Sequence, residues 1–257
     1  MNYLTFSSDG TSLVSGSDDK TVKFWGVQTG GVVEAFHGHT EGVWSVSISA
    51  DCTTIASGSD DRAIHLWNIQ TGECYHTIKQ QSFVGYVNFS PTNPQHFMSI
   101  CDNKLWQWDV NGHQIKPPFG GSYIAFSSDG TQFVSCYSTV VTVQNSDSGV
   151  IIAKFQVANG IIKYCCFSPD DMLIAIATYN TVYVWDITNS NPHIIEIFIG
   201  HTNDVTSLAF SSPSTLISAS HNKLVKFWQI GVSSADLVVI DLVSTPIASP
   251  LISSISL

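Results

Sequence analysis

Apolar and polar residues alternate along this chain in short runs, broken by pairs rich in Asp, Gly, Ser and Thr. The pattern is cleanest from Gly38 to Trp67, GHTEGVWSVSISADCTTIASGSDDRAIHLW. Period-two alternation predicts half-buried strands, and the polar pairs predict the turns between them. With its continuation the stretch reads as four strands: Val43–Ser49, Thr54–Ser59, Ala63–Ile69 and Cys74–Lys79. Asp-Gly and Thr-Gly corners suit such turns, because Gly accepts positive φ and Asp bonds its own downstream backbone.

The stretch is one copy of a repeat. Its last residue, Trp67, has counterparts at Trp25, Trp108, Trp185 and Trp228, and Gln144 fills the slot between Trp108 and Trp185. The serine closing the first strand recurs independently as Ser7, Ser49, Ser90, Ser127, Ser168 and Ser211. Two markers in one register give six copies at a period of about 41 residues, and four-stranded units at that spacing predict propeller blades.

Composition narrows the function. Charged residues make up 12% of the 257, with ten Lys and Arg against twenty Asp and Glu, a net charge of −10. That balance disfavours nucleic acid, whose phosphates must be neutralised by cations. The start MNYLTFSSDG lacks the basic and apolar regions of a secretory signal, and no apolar run reaches bilayer length. An intracellular protein is expected, cytoplasmic with the nucleus as the alternative, and with reduced cysteines: Cys52, Cys74, Cys101, Cys136, Cys165 and Cys166 show no CxxC spacing.

Gly38-His39, the run SGSDDRAIHLW and the pairs Trp108-Asp109 and Trp185-Asp186 resemble the WD40 repeat. The regularity of SGSDDKTVKFW and GHTEGVWSV is similar to fungal and bacterial WD40 arrays, some of which adjoin NACHT-type nucleotide-binding modules. The resemblance implies an all-β WD40 β-propeller over residues 1–241, with blades near 1–36, 37–79, 80–119, 120–156, 157–199 and 200–241, and an uncharged C-terminal tail at 242–257. The first blade lacks the preceding Gly-His segment, which leaves two readings: a six-bladed ring, or a fragment of a longer array.

His39, Asp61 and Ser57 have the residue types of a nucleophilic triad. The resemblance implies instead a structural hydrogen-bond network of His39, Ser57, Asp61 and Trp67. Asp19 and Trp25, Asp102 and Trp108, Trp185, and His201, Ser218 and Trp228 repeat parts of it. Repetition separates the two, because a catalytic site is needed once. No HxH, HExxH or His-Cys cluster predicts a metal, and no Gly-rich loop predicts a nucleotide, so no cofactor is expected.

Trp44 is the residue the repeat does not require, since its slot holds Gly85, Ser122, Lys163 and Thr206 elsewhere. It is the first candidate for a partner contact on the propeller's top face, with Phe83, Asp18, Asp60, Lys104 and His221 as further candidates in or beside predicted top-face turns. The expected function is a non-enzymatic scaffold that binds a basic peptide or domain, without membrane or nucleic acid. The alternatives are a sensor domain of a NACHT-type signalling ATPase and a propeller-fold hydrolase.

Overall fold

The computed structural model describes residues 1–158, 160–189 and 191–231 and the backbone of 238–241; the tail 242–257 lies outside the described residues. The chain divides into two compact units, Met1–Ser122 and Tyr123–Leu257. The described strands form six four-stranded antiparallel sheets, and no helix is present among the described residues.

Unit one holds three sheets. Sheet one is β1 (Tyr3–Phe6), β2 (Ser12–Gly16), β3 (Thr21–Gly26) and β4 (Val32–His37). Sheet two is β5 (Val43–Ile48), β6 (Thr54–Ser59), β7 (Ala63–Asn68) and β8 (Cys74–Lys79). Sheet three is β9 (Val84–Phe89), β10 (His96–Cys101), β11 (Lys104–Asp109) and β12 (Gln114–Gly120). In each the strands pair in chain order, and β5 packs between β1 and β9. Two cores fill the spaces between neighbouring sheets. Val14, Val22, Phe36, Val43, Val46 and Trp67 form one, and Ile64, Leu66, Val84, Val87, Phe97 and Trp108 the other. Full burial of each such side chain contributes about 1.5–3 kcal/mol. Gly58 permits the close approach of β9, since a Cβ there would sit 2.7 Å from Val84 Cγ1.

Unit two repeats the plan. Its sheets are β13 (Tyr123–Phe126), β14 (Gln132–Tyr137), β15 (Val140–Asn145) and β16 (Ile151–Gln156); β17 (Tyr164–Phe167), β18 (Leu173–Ala177), β19 (Thr181–Asp186) and β20 (His193–Ile199); and β21 (Val205–Ser212), β22 (Thr215–Ser220), β23 (Leu224–Gln229) and β24 (Val238–Asp241). Here β17 packs between β13 and β21.

In four of the sheets the recurring serine fixes the first turn through a bond that the sequence pattern did not disclose. Ser7, Ser49 and Ser127 each donate to the carboxylate two residues on, Asp9 (2.6 Å), Asp51 (2.6 Å) and Asp129 (2.7 Å). The same hydroxyls accept the backbone N–H of Ser12, Thr54 and Gln132. The third turn residue is left-handed: Gly10 and Gly130 adopt it freely, while Cys52 (φ 56°) and Asp171 (φ 58°) occupy it at the cost a Cβ imposes.

These bonds hold the aspartates below the usual carboxylate range. The Ser7 hydroxyl lowers Asp9, the Thr131 amide lowers Asp129, and at Asp51 burial opposes the shift but the Ser49 and Thr53 bonds outweigh it. A depressed folded pKa gives stability that is present above the unfolded value near 4 and is lost as pH falls through the folded one. Denaturant unfolding from pH 6 to 2 should therefore show stability falling below about pH 4, with a shallower fall in Asp51→Asn. An unchanged slope in that variant would contradict the assignment.

Candidate functional site

Two groups of side chains stand out, one buried and one exposed. The buried group is most complete in sheet two. Trp67 Nε1 donates to Ser57 Oγ (2.8 Å), Ser57 Oγ lies 2.7 Å from His39 Nε2, and His39 Nδ1 lies 2.8 Å from Asp61 Oδ2. Asp61 also accepts the backbone N–H of Thr40 and Ala63. A carboxylate only accepts, so the His39 proton sits on Nδ1, and Nε2 accepts from the Ser57 hydroxyl. Burial holds the His39 imidazole below its usual pKa against the pull of Asp61, so it is neutral at pH 7. Beside it His65, its ring centroid 4.1 Å from that of His39, is pushed down to about 4 by burial and then by His39.

The other sheets carry reduced versions. In sheet six Trp228 donates to Ser218 (2.7 Å), His201 Nε2 lies 2.6 Å from Ser218, and His201 Nδ1 lies 3.3 Å from the amide oxygen of Asn222. Sheets one and three keep only the last link, Trp25 to Ser15 and Trp108 to Ser99, each 2.9 Å. Asp19 and Asp102, which the sequence grouped with this network, do not join it. Without a histidine to bind, Asp19 turns to Thr21 and to Lys23 (3.0 Å). Asp102 lies exposed at the β10–β11 turn with φ 53° and does not bond to the Trp108–Ser99 pair. In sheet four Gln144 replaces the indole and donates to Ser135 at 3.3 Å. In sheet five the serine slot holds Ile176, and the buried Trp185 Nε1 has no partner, while its ring stacks on Phe155. That isoleucine was visible in the sequence; alignment on tryptophan alone passed over it.

The exposed group lies at the end of unit one where β5 begins. The β5–β6 register skips from Val43↔Ser59 to Ser45↔Gly58, so Trp44 is the extra residue of a bulge. A bulge re-aims the side chain it carries, and Trp44 is 43% exposed. Gly85 and Thr206 occupy equivalent irregularities in β9 and β21. Two residues before Trp44, Gly42 lies between two carboxylates: its Cβ position would be 3.3 Å from Asp18 Oδ1 and 3.9 Å from Asp60 Oδ2. Asn2 fixes Asp18 (2.8 Å) and the Val43 carbonyl (3.1 Å) with one amide nitrogen, and the Asp60 N–H donates to Gly42 O. Asp18 and Asp60 thus flank Gly42, two residues before Trp44 in the chain. Phe83, 53% exposed, precedes β9, and Lys104 opens β11, both at the corresponding end of sheet three. His221 follows β22 in unit two, where its N–H donates to Asp204 O.

Six sheets of one strand order, four of them with a serine–aspartate bond at the first turn, match a known architecture. Residues 1–238 match the family model of the IFT122 first beta-propeller. The chain belongs to this family of WD40-repeat β-propellers. It is similar to human (Homo sapiens) WD repeat-containing protein 37, 30% identical over 70 residues, covering 27% of this chain and 14% of that protein. To the transcriptional corepressor LEUNIG_HOMOLOG of Arabidopsis thaliana it is 26% identical over 235 residues, 87% of this chain and 29% of that one. The chain therefore spans less than a third of either relative. The crystal structure of the Myceliophteria_thermophila Cps50 (Swd1) beta-propeller domain shares its fold, with a TM-score of 0.79 at 17% identity over 93% of this chain and 85% of that one. The sheets are blades, and the blades differ in how well they are fastened. Hydrogen exchange should be fastest in blades four and five, where the Gln144 bond is long and Trp185 is unpartnered; protection there equal to that of blade two would contradict this.

Proposed function

We propose that this propeller is a non-enzymatic protein-interaction module that binds a basic peptide or domain at the β5 end of unit one. The observation that carries the reading is Trp44, exposed at a bulge two residues after Gly42, which Asp18 and Asp60 flank. An indole supplies large contact area with few rotors, and the two carboxylates favour an Arg or Lys set against it. Phe83 and Lys104 extend the surface, apolar at one point and basic at the other, and His221 is a candidate contact of unit two. The net charge of −10 supports association with a basic partner that weakens as salt rises.

Ser57, His39 and Asp61 have the spacing of an acyl-transfer triad, yet the reading as a fastening has better support. Ser57 is 0% exposed, and its oxygen already takes the indole N–H of Trp67. Parts of the set also recur in blade six around Trp228. The test is peptide-display selection against the immobilised full chain and against Trp44→Ala. Selected sequences should be rich in Arg and Lys, release with salt, and be lost with Trp44; acidic, salt-insensitive sequences would refute the reading.

A further inference from the structure

The geometry points to a second role for part of the buried network: we propose that His39, Asp61 and His65 bind a divalent transition-metal cation of the zinc class. One ligand atom from each residue lies within 4.8 Å of the other two. The three come from separate elements: His39 follows β4, Asp61 lies in the β6–β7 turn and His65 in β7. None of the compact metal motifs of sequence predicts such a set, because the fold assembles it. Two imidazoles and a carboxylate form a ligand set suited to zinc, with water as the fourth ligand.

The second imidazole is peculiar to blade two. The slot two residues before the fastening position holds Lys23, Trp106, Thr142, Tyr183 and Lys226 in the other blades. The fastening recurs and this pair does not, which is the mark of a local function. The outer contacts are also those a metal site needs. His65 Nδ1 lies 2.8 Å from Thr77 Oγ1 and 3.3 Å from Cys74 Sγ, so Nε2 is the nitrogen left to ligate. When His39 Nδ1 takes the metal, its proton passes to Nε2, and the Ser57 hydroxyl 2.7 Å away turns from donor to acceptor, giving up the bond it donates in the metal-free chain. The His39–Asp61 contact opens from 2.8 Å to the separation of about 3.4 Å that tetrahedral zinc ligands require. Lys79 is the cation whose field reaches both rings, and it opposes binding; Asp61 offsets it.

The test uses the full chain, stripped with a chelator, dialysed and titrated with Zn²⁺ alone by calorimetry. One Zn²⁺ per chain is expected, with a rise in thermal midpoint of about 5–10 °C at a hundredfold excess over Kd. Co²⁺ in its place should give the visible absorption of a four- or five-coordinate site. His65→Lys, the residue type of blades one and six at this position, should weaken binding at least about tenfold with an unchanged circular dichroism spectrum. His65→Gln should do the same if the lysine variant folds poorly, and His113→Ala, at an exposed histidine, should bind as wild type. No stoichiometric Zn²⁺ binding by the wild type, or equal binding by the wild type and a folded His65 variant, would overturn the proposal.

Discussion

Ser57→Ala should lower the unfolding free energy by about 2–4 kcal/mol, a large effect for the loss of one oxygen. The serine is the node of the network: it accepts from Trp67 and donates to His39. Alanine fits the same space, so no clash or large cavity contributes. What remains is a buried indole N–H and a buried imidazole nitrogen without partners, each costing about 1–3 kcal/mol. Ser135→Ala in blade four is the internal comparison. It removes a single bond, to Gln144 at 3.3 Å, and should cost about 1 kcal/mol. Urea unfolding of the two variants checks the difference; a Ser57→Ala loss no larger than that of Ser135→Ala would show that the network contributes little.

Trp44→Ala should weaken binding of a selected basic peptide about thirtyfold or more, the size of a hot-spot truncation, and leave stability within about 0.5 kcal/mol. The two outcomes separate because the side chain is exposed and the bulge is a feature of the backbone. Core residues on either side, Val43 and Val46, are fully buried and unaffected by the change. Asp18→Asn and Asp60→Asn should mainly slow association and flatten its dependence on salt, as expected of charges at an interface rim.

The architecture was legible because alternation, first-turn serines and tryptophans each marked the same register. Trp44 was legible by comparison, since four other copies place a different residue in its slot. That a bulge turns it outward was not, because register depends on the partner strand. Asp19 and Asp102 show how a slot misleads. An aspartate takes the network role only where a histidine meets it; otherwise it caps its own turn, as Asp19 does with Thr21, or lies exposed, as Asp102 does. His65 illustrates the reverse: it is an unremarkable strand residue in sequence, placed against His39 and Asp61 only when β7 folds beside the Gly38-His39 segment.

The most direct test of the central claim is equilibrium binding of the tightest Arg- or Lys-rich peptide from the selection, measured in parallel on wild type, Trp44→Ala and Ile152→Ser, the last an exposed position on the outer strand β16. The β5 end as docking surface predicts a loss of about thirtyfold or more for Trp44→Ala alone. Equal affinity for wild type and Trp44→Ala would contradict it.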